Sequence, residues 1–157
     1  VAVDSCTQTT WSYAPVHPAS YEAHGSGCNG TAWTPTLTRS QEWSLPWLGD
    51  TLSATIDHLP LSTAVLVTGL SDLMAGSTPL PFDLGPSGMH LCWLRTSVED
   101  VRLVVGSGGS ATVQMAVPAL PALLGVQFFQ QAMAFDPGAN PMGAVVSNSV
   151  VGVLGSR

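Results

Sequence analysis

Proline and glycine interrupt this sequence so frequently that they restrict which secondary structure it can form. The 157 residues include 12 prolines and 16 glycines. Proline removes a backbone N–H and breaks a helix interior, and glycine weakens one. No window carries an apolar helical stripe of more than about three turns. The sequence therefore predicts strands and turns, and an all-β fold.

The densest interruption lies in residues 78–92, TPLPFDLGPSGMHLC, which contain three prolines and two glycines. Because proline cannot donate to a strand ladder, this segment suits a sheet edge or a crossover between sheets better than a central strand. We expect it to bring Cys92 to the start of a buried strand in residues 90–97.

Apolar residues recur with a period of two in several short segments, which is typical of strands. In residues 51–59 this period places Leu52, Ala54 and Ile56 on one face, and residues 63–70 are apolar almost throughout. Further strands are predicted in residues 126–135 and 143–155.

Residues 100–118 show the clearest hairpin pattern. Val101, Leu103 and Val105 alternate with other residues before the turn at 106–109, and the alternation resumes after it. Two such runs joined by a glycine-rich turn predict a β-hairpin. With the other strands, this pattern predicts a two-layer antiparallel β-sandwich of about eight strands, jelly-roll or immunoglobulin-like, over residues 25–157.

Residues 1–24 are rich in threonine, serine and proline, and we expect them to form an extended N-terminal arm or linker. Within this arm the bulky face of a strand-like alternation is formed by Thr7, Thr9, Trp11 and Tyr13. We expect this face to pair with another chain, so that the arm serves self-association.

The charges exclude some classes of partner. Lysine is absent, and four arginines against ten acids leave a formal net charge of -6. Nucleic acid and anionic membranes attract clustered cations, which this chain lacks. No uninterrupted apolar run approaches the roughly 20 residues that span a bilayer, so no membrane insertion is expected.

Only 9% of the residues are charged. Such a surface has little electrostatic repulsion between copies, so the composition favours a secreted protein that associates with itself. The chain begins at Val1 without methionine or a basic leader, which fits either a mature secreted product or an excerpt of a longer chain.

Seven motifs follow one another in a fixed order: GSGCNG (25–30), PTL (35–37), LPWLGDTLSATIDHLP (45–60), AVLVTGLS (64–71), PLPFDLGPSGMHLC (79–92), AVPALPALLGVQFFQQ (116–131) and SNSVVGVLG (147–155). The ordered set resembles a module at the C-terminal ends of large secreted bacterial proteins of the planctomycete and myxobacterial type. The resemblance implies an extracellular β-sandwich without established catalytic activity. The arm, with its own Cys6, lies outside the pattern.

Three cysteines in a secreted chain leave one disulfide and one odd thiol. The loop formula gives about 4 kcal/mol for Cys28 with Cys92 and about 3 kcal/mol for Cys6 with Cys28, so energetics does not choose between them. The resemblance implies the Cys28–Cys92 pair, because both lie where the module carries cysteine. Cys6 would then be a buried free thiol or form an intermolecular bond.

The sequence contains one candidate site for attachment of a glycan and three candidate residues for binding one. Asn29 begins an N-glycosylation sequon, Asn-Gly-Thr, in a glycine-rich loop. Trp33, Trp43 and Trp47 are candidates for stacking on sugar rings, although tryptophans near proline and glycine are more often partly covered by a loop.

No motif supports catalysis or metal binding. The chain contains no GxSxG elbow, no HExxH or HxH and no CxxC, which are the spacings that hydrolase and metal sites use. We therefore predict no catalytic residues, no metal and no cofactor. The leading hypothesis is a non-catalytic extracellular structural protein that self-associates, as a surface fibre or coat. The alternative is a carbohydrate or cell-wall binding module, and a hydrolase has the least support.

Overall fold

The structure, a computed structural model, describes residues 17–157. Within that range it contains two short 3-10 helices, Gly85–Ser87 and Pro121–Leu123, and no α-helix. No helix in these residues is long and apolar enough to cross a bilayer. The strands are β1 (Ser20–His24), β2 (Thr36–Arg39), β3 (Thr51–Asp57), β4 (Thr63–Gly69), β5 (Met74–Ala75), β6 (Thr78–Pro79), β7 (Phe82–Asp83), β8 (Trp93–Leu94), β9 (Asp100–Val105), β10 (Ser110–Ala116), β11 (Gln127–Phe135) and β12 (Ala144–Val153).

Eight of these strands form two antiparallel sheets that pack as a sandwich. The larger sheet has the order β1-β12-β11-β4-β9, and the smaller sheet has the order β10-β3-β2. The prediction of an all-β antiparallel sandwich of about eight strands is confirmed. The other four strands are two residues long and form two small pairs, β5-β6 and β7-β8.

The core lies between the two sheets and follows the period of two. Leu52, Ala54 and Ile56 of β3 share one face as predicted, and that face is buried. They belong to the same apolar cluster as Leu66 of β4 and Val150 of β12. Burying such side chains is the main favourable contribution to folding a sandwich of this kind.

The predicted hairpin of residues 100–118 is wrong. β9 pairs with β4 in the larger sheet, whereas β10 pairs with β3 in the smaller one. The turn between them therefore carries the chain from one layer to the other. Gly106 makes this possible, because a Cβ there would overlap the backbone of Ser110 and Ala111. Local alternation predicts a strand but not its partner, which long-range packing selects.

The boundary predicted after residue 24 is placed too late. β1 pairs with β12 over five residues, and Tyr21 within it is only 3% exposed. His17 also forms a bridge with Ser156. The sandwich therefore includes residues 17–24, whose apolar signal is too short to recognise as a strand. Residues 1–16, with Cys6, Thr7, Thr9, Trp11 and Tyr13, lie outside the described residues.

The segment from residue 70 to residue 97, which we call the excursion, leaves the sandwich after β4 and returns before β9. It holds the proline-rich stretch 78–92 and is fixed by the disulfide between Cys28 and Cys92, with an S–S distance of 2.04 Å. The pairing expected from the resemblance is confirmed. The strand expected in residues 90–97 is reduced to the two residues of β8.

Candidate functional site

β9 is an edge strand that exposes large apolar side chains. It pairs with β4 on one side, and no strand of residues 17–157 lies on its other side. Val104 faces the core, so Val101, Leu103 and Val105 point outward and are 55%, 66% and 69% exposed. Natural edges are usually protected by lysine, proline or a bulge. β9 contains neither lysine nor proline, and its two charged residues, Asp100 and Arg102, form an ion pair with each other. Among residues 17–157, no strand pairs with its outer backbone groups.

The described chain begins at the opposite edge of the same sheet. β1 is that edge and pairs with β12 alone, and His17 lies just before it. Five strands at the usual spacing make the sheet about 19 Å wide. His17, the first described residue, therefore lies about that far from β9.

Trp33 stands on a rigid turn at one end of the smaller sheet and is 79% exposed. The backbone N–H of Gly30 donates a hydrogen bond to the Trp33 carbonyl, 3.1 Å away. Trp33 has a φ of 73°, and the nearby His58 has a φ of 62°. Bulky residues with positive φ are uncommon and are often associated with functional sites.

A cleft of about 390 Å³ adjoins this tryptophan, lined also by Asp57, His58 and Ser110. The Nδ1 atom of His58 lies 3.0 Å from the Thr34 carbonyl oxygen. Because a carbonyl only accepts, Nδ1 carries the proton in this contact, and the tautomer with its single proton on Nδ1 has Nε2 as an acceptor. The cleft thus combines an indole with two hydrogen-bond acceptors.

Trp43 and Trp47 differ in accessibility. Trp43 is 73% exposed and lines a second cleft near Asp50 and Ser53, at the opposite end of β3 from Asp57. Trp47 is partly buried, and the Arg157 guanidinium lies over its ring, 5.2 Å from the centroid. Trp33 and Trp43 are therefore open for stacking, whereas one face of Trp47 is already occupied.

A hydroxyl-rich surface separates the two exposed tryptophans. The residues of β3 that alternate with the buried ones face outward, and directly paired residues share a face. Thr55 is paired with Thr38 on one side and Thr112 on the other, and Ser53 is paired with Gln114. The outer face of the smaller sheet is therefore covered by short polar side chains.

Sequence reasoning missed the clamp beneath the Trp33 turn. The buried carboxylate of Asp136 accepts hydrogen bonds from the Thr31 backbone N–H at 2.6 Å and from its hydroxyl at 2.8 Å. A Cβ on Gly30 would overlap this carboxylate. Asn29 of the sequon is exposed, and its amide oxygen accepts a hydrogen bond from the Thr34 hydroxyl. No sequence signal joins position 31 to position 136.

The buried glutamines were also missed. The Gln131 side chain accepts from the backbone N–H of Arg95 and donates to the carbonyls of Trp93 and Ser147. It thereby ties the excursion to β11 and β12. Gln130 accepts a hydrogen bond from the Tyr21 hydroxyl at 2.7 Å. Burial raises the pKa of Tyr21 well above its usual range, because the ionised phenolate would lose its solvation.

The histidines show ordinary structural contacts. His24 lies 3.5 Å from Asp72, and both side chains are partly exposed. The hydrogen bonds of residues 17–157 include none between an imidazole and a serine or cysteine side chain. These residues also hold no group of three or more His, Cys, Asp or Glu side chains suited to a metal ion.

Comparison with protein-family models, curated proteins and solved structures finds no match for this chain.

Proposed function

We propose that the chain is a non-catalytic extracellular structural protein that associates with copies of itself, as a subunit of a cell-surface fibre or coat. The observation that carries the proposal is the β9 edge, where Val101, Leu103 and Val105 are exposed beside a strand edge that no strand of residues 17–157 pairs with. An exposed apolar edge favours addition of another strand, because both chains then satisfy open backbone groups.

The charges around β9 offer little opposition to such a contact. Arg102 and Asp100 form an ion pair at 2.9 Å and so neutralise each other. The whole chain has few charged side chains, which limits repulsion between copies. The disulfide supports an extracellular location, because disulfides persist in oxidising compartments.

We infer that the added strand is contributed by residues 1–16 of a second copy. Sixteen residues reach at most roughly 58 Å when extended, and Thr7, Thr9, Trp11 and Tyr13 alternate as a strand does. In its own molecule this segment starts at the far edge of the sheet, whose inner face is covered by the smaller sheet. We propose that it pairs with the β9 edge of a neighbour. Pairing with the β9 edge of its own molecule, which is also within reach, would leave the full chain monomeric.

Such a contact joins the β1 side of one copy to the β9 side of the next. This arrangement is head-to-tail, and unless it closes into a ring it produces an open filament. Cys6 belongs to the same segment and is our candidate for an intermolecular disulfide. Asn29 is our candidate for glycosylation.

The test is sedimentation velocity of four proteins: the full chain, a deletion of residues 1–16, Leu103→Lys and the control Leu73→Lys. Leu73 is 71% exposed but belongs to the excursion. We expect assemblies for the full chain and the control, and monomers for the deletion and for Leu103→Lys, since lysine protects a strand edge. The proposal is wrong if the full chain is monomeric, or if the deletion and Leu103→Lys assemble as it does.

A deletion of residues 1–24 is not a suitable test. It would remove β1, and with it Tyr21, from the larger sheet. Loss of assembly after that deletion would report unfolding as readily as loss of an arm contact.

A further inference from the structure

The turn that carries the exposed indole of Trp33 is anchored by hydrogen bonds on both sides of that residue. Asp136 fixes Thr31 in the same turn by two hydrogen bonds, and His58 contacts the carbonyl of Thr34, the next residue. Trp33 and His58, which both have positive φ, lie beside these hydrogen bonds. A large apolar side chain that is pre-organised and uncovered is characteristic of a binding platform.

The chemistry of the cleft selects the ligand. Asp57 and, in the tautomer with its proton on Nδ1, the Nε2 atom of His58 can accept hydrogen bonds from a ligand, and the indole offers an apolar face. A pyranose ring has complementary groups, with C–H bonds on one face and hydroxyl donors around its edge. An anionic sugar is disfavoured, because Asp57 and the net charge of -6 would repel it.

The second exposed tryptophan gives the site a direction. Trp33 adjoins Asp57 at one end of β3, and Trp43 adjoins Ser53 toward the other end. From Thr51 to Asp57 the strand rises about 20 Å. Between these ends the surface carries Thr38, Thr112 and Gln114, which can exchange hydrogen bonds with hydroxyl groups. Ser53 and Thr55 lie on the same face, and their hydroxyls hydrogen-bond to Ser40 but keep lone pairs that can accept from a ligand.

We propose that the outer face of the smaller sheet binds a neutral polysaccharide chain, with Trp33 as the principal stacking platform and Trp43 as the second. The polysaccharide runs along β3 and crosses the hydroxyl-rich surface. This face lies on a different sheet from β9, so binding is independent of self-association. Copies of the chain in a fibre or coat would each offer one such face, and their avidity would add to a weak single site.

The experiment is isothermal titration calorimetry with three neutral β-1,4-linked hexasaccharides, cellohexaose, xylohexaose and mannohexaose, and one anionic hexamer, hexagalacturonic acid. We expect at least one neutral hexamer to bind at millimolar concentration or below, and the anionic hexamer to bind at least about tenfold more weakly. In NMR spectra, the indole N–H resonance of Trp33 should shift when the neutral hexamer is added.

Three variants locate the site. Trp33→Ala should weaken binding at least about tenfold, and Trp43→Ala should weaken binding of the hexamer while leaving the matching trisaccharide at Trp33 unchanged. The control Trp93→Phe changes a tryptophan of the excursion and should bind as the unchanged chain does. Thermal unfolding checks that each variant is folded, which the exposure of Trp33 and Trp43 favours.

The role of Asp136 in positioning Trp33 can be separated from its contribution to the stability of the fold. Asp136→Asn disturbs the turn beneath Trp33 without touching the ligand, so it should lower sugar affinity at a temperature where circular dichroism shows the variant to be folded. The inference is wrong if no neutral hexamer binds, if Trp33→Ala binds as tightly as the unchanged chain, or if the anionic hexamer binds equally well.

Discussion

Thr31 and Asp136 are 105 residues apart in sequence and are joined by two hydrogen bonds, from the Thr31 backbone N–H at 2.6 Å and from its hydroxyl at 2.8 Å. Asp136 is only 1% exposed. A buried carboxylate is tolerated where its oxygens accept such bonds. The pair fixes the loop that carries Asn29 and Trp33 to the turn before β12.

Asp136→Asn should destabilise the protein by about 1–3 kcal/mol, because an amide N–H₂ then faces one of the two donors of Thr31. Urea unfolding measures the change. Asp83→Asn is the matched control, since exposed Asp83 accepts a single hydrogen bond from Gly85 and asparagine keeps an acceptor. Equal losses in both variants would contradict the importance of the Thr31 clamp.

Removal of the disulfide with Cys28→Ala and Cys92→Ala should cost about 4 kcal/mol, because the bond closes a loop of 64 residues in the unfolded chain. The measurement is guanidinium unfolding with and without reductant. With Cys6→Ala added to both proteins, reductant should lower the stability of the chain that keeps Cys28 and Cys92 and leave that of the chain without them unaltered. A double variant as stable as the oxidised chain would show that the excursion needs no covalent anchor.

Tyr21→Phe should alter how stability depends on alkaline pH. The pKa of Tyr21 is raised by burial in the folded state, whereas an unfolded tyrosine ionises near pH 10. Above about pH 10 the unfolded state therefore binds fewer protons than the folded state, and stability falls by up to about 1.4 kcal/mol per pH unit. The variant lacks this contribution, so its stability should fall less steeply.

Below about pH 10 the same variant should be less stable by about 1 kcal/mol, because Gln130 loses the hydroxyl that donates to it. Urea unfolding at a series of pH values gives both effects. Parallel curves for the two proteins above pH 10 would contradict the assignment to Tyr21.

Gly152→Ala tests the fit between β11 and β12. Gly152 is directly opposite Phe128, and a Cβ at that position would overlap the phenyl ring. We expect a loss of about 1–3 kcal/mol, as for other overpacked cores. Combining it with Phe128→Leu should recover part of the loss, which a double-mutant cycle measures. Strictly additive losses would show that the ring is not the cause.

The sequence predicted local geometry well. Proline and glycine exclude long helices, and the alternation in residues 51–59 correctly placed Leu52, Ala54 and Ile56 on one face, which is buried. Both results depend on backbone rules that act within a few residues. The prediction of the Cys28–Cys92 disulfide came from the resemblance, since loop-closure energies did not distinguish the possible cysteine pairs.

The sites were less predictable. Trp33, Trp43 and Trp47 were equivalent as sequence candidates, yet Arg157 lies over Trp47 alone. The contact between Asp136 and Thr31 was equally unpredictable, because nothing in the sequence around either residue indicates the other. Contacts of this kind depend on how distant segments meet, which local patterns do not contain.

β9 shows most clearly where sequence information ends. The pattern of Val101, Leu103 and Val105 determined that a strand forms, because alternation is a property of the strand itself. Only the tertiary structure decided that this strand leaves its would-be partner β10, joins β4 and turns those three side chains outward. The physical reason is that a strand's face and partner are set by the core it completes, and that core is assembled from residues far apart in the chain.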